Sequence, residues 1–339
     1  MGVIASKKIK VVFFNRKPRK FGNFSIEIIF KLIEESLSNE FEIINKQMPY
    51  ESSGIFKRFW NTLYCLFNQG DVNHITGDIH YVATFLKKSK TLLTVLDCGM
   101  LHQQTSLKRS VLKLFWFDIP ISKAQLLTVI SKATGDDLVE LTACKREKIK
   151  LVYVCISPDF KKIEKYFDKQ SPRILHIGTA ENKNLKRIIP ALKNINCTLV
   201  IIGKVGEDIK QLIAENNIKL ELFDRRLSDE EVRQEYYKCD ILSLVSTLEG
   251  FGMPIVEANV VGRVAITGNI TSMPEVAGNA AHIVNSFDKT AIHEGFKKII
   301  DDDEYRNTLI KNGYENAKRF SVKTIAGQYA DIYRELYNQ

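Results

Sequence analysis

From residue 172 onward, short apolar runs alternate with amphipathic stretches, and this alternation restricts the chain to βα units that build a parallel sheet. Segments 173–178, 197–203, 220–223, 239–246 and 264–267 read as strands. Segments 184–195 and 207–216 read as helices between them, and Ser228-Asp-Glu-Glu231 is a capping box that opens a helix to Lys238. A further helix over 254–261 is stopped by Gly262, and helices follow at 289–301 and 303–320. The product is a doubly wound α/β domain.

The first half carries the same grammar less cleanly, with strands at 9–14, 41–44, 72–75, 92–96, 127–130 and 151–154. Apolar residues at Ile26, Ile28, Ile29, Leu32, Ile33 and Leu37 give 25–37 one apolar helical face. Ser-Pro-Asp at 157–159 breaks the pattern, and 339 residues exceed what one core usually serves. Two α/β domains are therefore expected, residues 1–156 and 157–321, with 322–339 returning as a helix to the first.

A hydrophobic content of 45% with 26% charged residues excludes a disordered chain. The longest apolar runs, such as 199–203 and 241–245, are of strand length, so no membrane span is expected. No signal peptide is read at the start, and six cysteines without regular spacing suit a reducing, cytoplasmic setting. Lys plus Arg less Asp plus Glu gives 23 − 15 = +8 for residues 1–160 and 26 − 25 = +1 for the rest. The basic half suits membrane headgroups, a phosphate-bearing acceptor or nucleic acid; solubility alone accounts for it equally well.

In open α/β sheets ligands bind beyond the carboxyl ends of the strands, and Glu249-Gly-Phe-Gly-Met-Pro-Ile-Val-Glu257 follows the strand at 239–246. The two glycines permit positive φ and close backbone approach to a ligand. Pro254 suits the first position of a helix, whose amides and dipole favour a diphosphate. Glu257 is expected in that helix's first turn, ionised, where it would accept hydrogen bonds from ribose hydroxyls. Taken singly, either carboxylate is as readily a loop charge or a dipole partner.

Glu-x7-Glu with its internal Gly-Phe-Gly-x-Pro resembles glycosyltransferase family 4, as do the stretches 174–185 and 272–278 and, more weakly, 73–81, 94–97 and 128–134. The resemblance implies a GT-B fold, two Rossmann-like domains facing a cleft, and retaining transfer of a hexose-type sugar from a nucleoside diphosphate to an acceptor hydroxyl in cell-surface polysaccharide or glycoconjugate synthesis. By it, Glu257 holds the ribose, and Glu249 with the amides of Phe251, Gly252 and Met253 holds the sugar. Ile255 and Val256, behind Pro254, offer amides to the diphosphate, and Lys183 near Gly178 neutralises it without a metal. Gly22 lies in the loop placed over the diphosphate, and Asp97 contributes from the first domain.

The family usually has an arginine after the first-strand glycine and a histidine before the aspartate, where this chain has Thr179 and Leu96. Arg225 or Arg226 would then share the diphosphate charge, and Asp78 or His80 would supplement Asp97. The implied partners are a nucleotide-sugar donor and a glycan or lipid-linked acceptor, with peripheral contact at the inner membrane face and no nucleic acid. No cofactor and no metal are expected: Asp301-Asp-Asp303 lies between two helices, where acids serve as caps. The rival readings are an epimerase or hydrolase acting on a nucleotide-sugar, and a catalytically silent donor-binding scaffold.

Overall fold

The computed structural model describes residues 8–17, 25–103 and 110–339. The chain forms two compact units, Met1–Ser157 with Val322–Gln339, and Pro158–Ser321. Each is a six-stranded, all-parallel sheet.

In the first unit the strands are β1 (Ile9–Asn15), β2 (Phe41–Gln47), β3 (Val72–Ile75), β4 (Thr91–Val95), β5 (Leu126–Val129) and β6 (Ile149–Leu151), in the order β2-β1-β3-β4-β5-β6. β3, β4 and β5 are buried throughout, as parallel strands covered on both faces must be. The edge strand β6 ends at Leu151, short of the expected run to 154. Val152 gives its amide to Val129 O at 3.0 Å, and Val152 and Val154 are buried without a further ladder.

The helix Val322–Asn338 belongs to this unit. Its buried residues Ile325, Ala326, Tyr329, Ala330, Ile332, Tyr333 and Leu336 form one helical face, and Tyr333 Oη meets His74 Nδ1 at 2.8 Å. His74 Nε2 meets Thr94 Oγ1 at 2.7 Å, which in turn meets Thr128 Oγ1 at 2.6 Å. Full burial pushes the His74 pKa down to about 3, so the ring is neutral.

One helix is inverted. Ile55–Leu66 buries Asn61, Thr62 and Cys65 and turns Ile55, Phe56, Phe59 and Trp60 to solvent. Asn61 is held inward by Nδ2 donating to Tyr50 O at 2.9 Å and to Tyr81 Oη at 3.0 Å.

The second unit contains β7 (Arg173–Ile177), β8 (Thr198–Ile202), β9 (Lys219–Phe223), β10 (Ile241–Leu244), β11 (Val264–Gly268) and β12 (His282–Val284), ordered β12-β11-β10-β7-β8-β9. The winding reverses between β7 and β10, which leaves a crevice at their carboxyl ends. The expected capping box is present at Ser228 and Glu231. The helix expected over 184–195 spans only Leu185–Ala191, because Pro190 lacks an amide and the last turn tightens onto Ile188 and Ile189 carbonyls. β12 was not foreseen: three residues are too few to show a period.

Candidate active site

Two loops meet at the reversal point. After β7, Gly178 adopts φ +90°, a short turn spans Glu181–Lys183, and Asn184 takes φ +67° ahead of the next helix. After β10, Ser246 to Gly252 lead into the helix Met253–Val261. Asn182 and Asn184 tie these loops together: Asn182 Nδ2 donates to Leu248 O and Asn184 Nδ2 to Val245 O, both at 2.8 Å. Ser272 Oγ, from the loop after β11, donates to Glu249 O at 3.1 Å and Phe251 O at 2.8 Å.

This framework brings Lys183 and Glu249 together. Lys183 Nζ lies 2.6 Å from Glu249 Oε1, and Ser246 Oγ donates to the same oxygen at 2.6 Å. The two side chains are 20% and 13% exposed, enough for a ligand to reach and little enough to limit screening by water. Gly178 is needed for this arrangement, since a Cβ there would meet Lys183 Cε at 3.1 Å and Cγ at 3.3 Å, on a backbone that L residues rarely adopt.

Gly252 is the N-cap of Met253–Val261 at φ +100°, whereas Gly250 is not among the positive-φ residues, so one glycine of the pair carries the turn. Met253 and Pro254 open the helix. The Ile255 amide donates to Gly252 O at 3.0 Å at the start of the helix. Met253 carries the helix-start amide with no partner among the described residues; Val256 is buried one position beyond Ile255. The Phe251 ring is buried edge-on against Phe320 at 5.6 Å, so only its backbone is placed to serve a ligand.

Glu257 departs from expectation. It is the fifth residue of its helix, beyond the first turn, and desolvation by burial raises its pKa to about 7 against a smaller lowering by the Tyr236 hydrogen bond. The Tyr236 hydroxyl donates to Glu257 Oε2, and Tyr236 itself is fully buried on Asp229–Lys238 with Phe160 edge-on at 5.4 Å. Tyr236, Ser246 and Asn184 were not singled out from sequence.

Thr179 turns toward β8, where its Oγ1 donates to Lys204 O at 2.7 Å. Arg225 is engaged by Glu231 at 2.5 Å, beyond the edge strand β9. In the first unit Asp97 is exposed beyond β4 and accepts the Gly99 amide at 2.8 Å. Asp78 lies 3.4 Å from Arg16. His80 is buried, 3.0 Å from Trp116 O and edge-on to Phe117, a structural placement. Gly22 lies outside the described residues. Asp302 caps the helix Asp303–Ala317 and Asp303 pairs with Arg306 at 2.8 Å, so the acidic triplet has helix-end roles.

Residues 158–316, nearly all of the second unit, match the family model of glycosyl transferases group 1. The resemblance to glycosyltransferase family 4 agrees with it. The chain is 25% identical over 237 residues to O-antigen chain mannosyltransferase B of Escherichia coli, covering 64% of this chain and 62% of the relative. It is 24% identical over 276 residues to O-antigen chain mannosyltransferase RfbU of Salmonella typhimurium, covering 77% and 75%. The chain thus spans less than two thirds of the first of these relatives. The crystal structure of Anabaena HepE in complex with UDP superposes with a TM-score of 0.77 at 14% identity, over 96% of this chain and all of that one. The fold is GT-B.

Proposed function

We propose that this chain, whose second unit matches glycosyl transferases group 1, is a retaining hexosyltransferase of cell-surface polysaccharide assembly that takes its sugar from a nucleoside-diphosphate donor. The observation that carries the proposal is the Lys183–Glu249 pair at the reversal point between β7 and β10, with Glu257 on the helix that follows. The O-antigen mannosyltransferases among the relatives support a mannosyl donor and a glycan or lipid-linked acceptor.

In this reading Glu257 accepts ribose hydroxyls, Glu249 and the amides of Phe251 to Met253 hold the sugar, and the helix start faces the diphosphate. As the glycosidic bond loosens, negative charge grows on the leaving phosphate and positive charge on the anomeric carbon. Lys183 then exchanges its Glu249 partner for the phosphate, the charge stabilisation that a metal gives in other transferases. The acceptor hydroxyl attacks from the same face, losing its proton to the departing phosphate, which retains the anomeric configuration.

Donor affinity by calorimetry and turnover with GDP-mannose and UDP-glucose test the reading. Glu257→Ala is expected to weaken the accepted donor about tenfold or more, and Lys183→Ala to lower turnover by about 10²-fold with a smaller effect on affinity. Unchanged affinity and turnover in Glu257→Ala would refute the assignment. Equal donor consumption with and without acceptor would make the protein a hydrolase.

A further inference from the structure

The carboxylate assigned to the ribose has a protein partner that the steps above leave unused. Asp229–Lys238 packs on Met253–Val261, and the Tyr236 hydroxyl donates to Glu257 Oε2. Tyr236 is fully buried, with its ring edge-on to Phe160 at 5.4 Å. Both of its neighbours in sequence are tied down as well. Glu235 Oε2 accepts from Arg173 Nη2 at 3.0 Å, on β7, and Tyr237 O accepts from Arg263 Nη2 at 2.8 Å. Three successive residues thus anchor the last turn of this helix, and the hydroxyl is a fixed point rather than a follower of the carboxylate.

A fixed point matters because the last torsion of a glutamate is soft, so an unheld carboxyl turns freely about it. Among the described residues, Oε2 has Tyr236 and no hydrogen bond reaches Oε1. The Glu257 side chain keeps some exposure whereas Tyr236 has none, which leaves a ligand an approach on the side that the phenol does not hold. Burial, and next the Glu257 charge, hold the Tyr236 pKa well above its ordinary value of 10, so the phenol stays a donor. On Glu257 burial raises the pKa most, the Tyr236 bond lowers it by favouring the ionised form, and Asp229, in the first turn of the same helix as Tyr236, raises it further. Met273–Ala277, Asp303–Ala317, β10 and β11 also pack on Met253–Val261, and among the described residues no titratable group of theirs acts on Glu257.

On the donor reading of Glu257, on which this rests, we propose that Tyr236 is a positioning residue for the nucleotide: it holds Glu257 Oε2 so that the carboxylate stands ionised and turned toward the ribose hydroxyls. The full chain, Tyr236→Phe and Glu257→Ala are titrated calorimetrically between pH 6 and pH 9 with GDP-mannose and UDP-glucose, and with the 2′,3′-dideoxyribose analogue of each.

The unsubstituted chain is expected to bind the accepted donor more tightly as pH rises and to level off above about 7, where Glu257 is ionised. Tyr236→Phe keeps the ring and loses the hydroxyl. It is expected to weaken that donor about fivefold at pH 7 and to move the levelling-off to higher pH, since burial then raises the Glu257 pKa unopposed. The dideoxy analogue gives Glu257 no hydroxyl to accept from, so it should bind the chain and Tyr236→Phe alike, and that equality also shows the variant to be folded. Equal weakening of donor and analogue in Tyr236→Phe means a packing role alone and overturns the proposal. So does an affinity and pH profile unchanged in Tyr236→Phe while Glu257→Ala weakens the donor, a result that leaves the donor reading standing. Glu257→Ala without effect removes the donor reading itself, and the proposal with it.

Discussion

Glu257 and Tyr236 show how burial overrules position along a helix. A first-turn carboxylate would be kept ionised by the dipole, but one turn later, sunk against Tyr236, the Glu257 pKa is raised from its ordinary 4.5 to about 7. A carboxyl whose folded pKa is raised contributes stability that is full below pH 4.5 and lost as pH rises through about 7. Glu257→Gln is therefore expected to raise the melting temperature of the free protein at pH 8, leave it nearly unchanged at pH 4.5, and still impair donor binding. Equal melting temperatures at pH 8 would contradict the raised pKa. Glu249, Glu257 and Gly252 were legible because they share one short segment that follows a strand, and Lys183 because it follows the glycine of another. Tyr236 was not, because 21 residues separate it from Glu257 and only the packing of two helices brings them together.

At the scale of elements, local signals fixed the boundaries that chemistry enforces. Gly262 ends its helix at φ +82°, and a Cβ there would meet Tyr314 Oη at 2.0 Å. Gly262→Ala combines a disfavoured backbone with a steric clash against a neighbouring helix and is expected to cost about 2–4 kcal/mol, measured by denaturant unfolding. A loss under about 0.5 kcal/mol would mean that Tyr314 swings away freely and that the αL cap is not required. The capping box at Ser228 and the stop at Gly262 were both read from the chain, since each depends on residues within four positions. Ile55–Leu66 was not, because its apolar spacing looks like any amphipathic helix and the pattern does not say which face turns inward. That choice rests with Asn61, whose amide bridges Tyr50 and Tyr81.

At the scale of the molecule, two parallel sheets were legible because buried parallel strands are nearly all apolar, and that pattern survives without knowledge of register. The buried histidines within those strands were hidden by the same rule, since a polar residue in an apolar run gives no hint of its partners. Each unit contains one: His74 on β3 and His176 on β7, both with pKa values pushed down to about 3 by burial. The sign follows from the direction of the shift. The unfolded chain takes up these protons near pH 6.5 while the folded chain resists them, so stability is full above pH 6.5 and falls progressively as pH drops toward 3. Each ring contributes up to about 1.4 kcal/mol per pH unit within that window, and because both units contain such rings neither is spared. Calorimetric melting at pH 7.5, 6, 5 and 4.5 should show a continuous decline, and His74→Asn should lessen it by removing one of these rings, with the buried His80 and the half-buried His282, also pushed down by desolvation, left in place. A melting temperature level from pH 6.5 to 4.5 would show that the rings are hydrated or already charged in the native state, and the neutral His74–Tyr333 contact that seats the C-terminal helix would have to be abandoned.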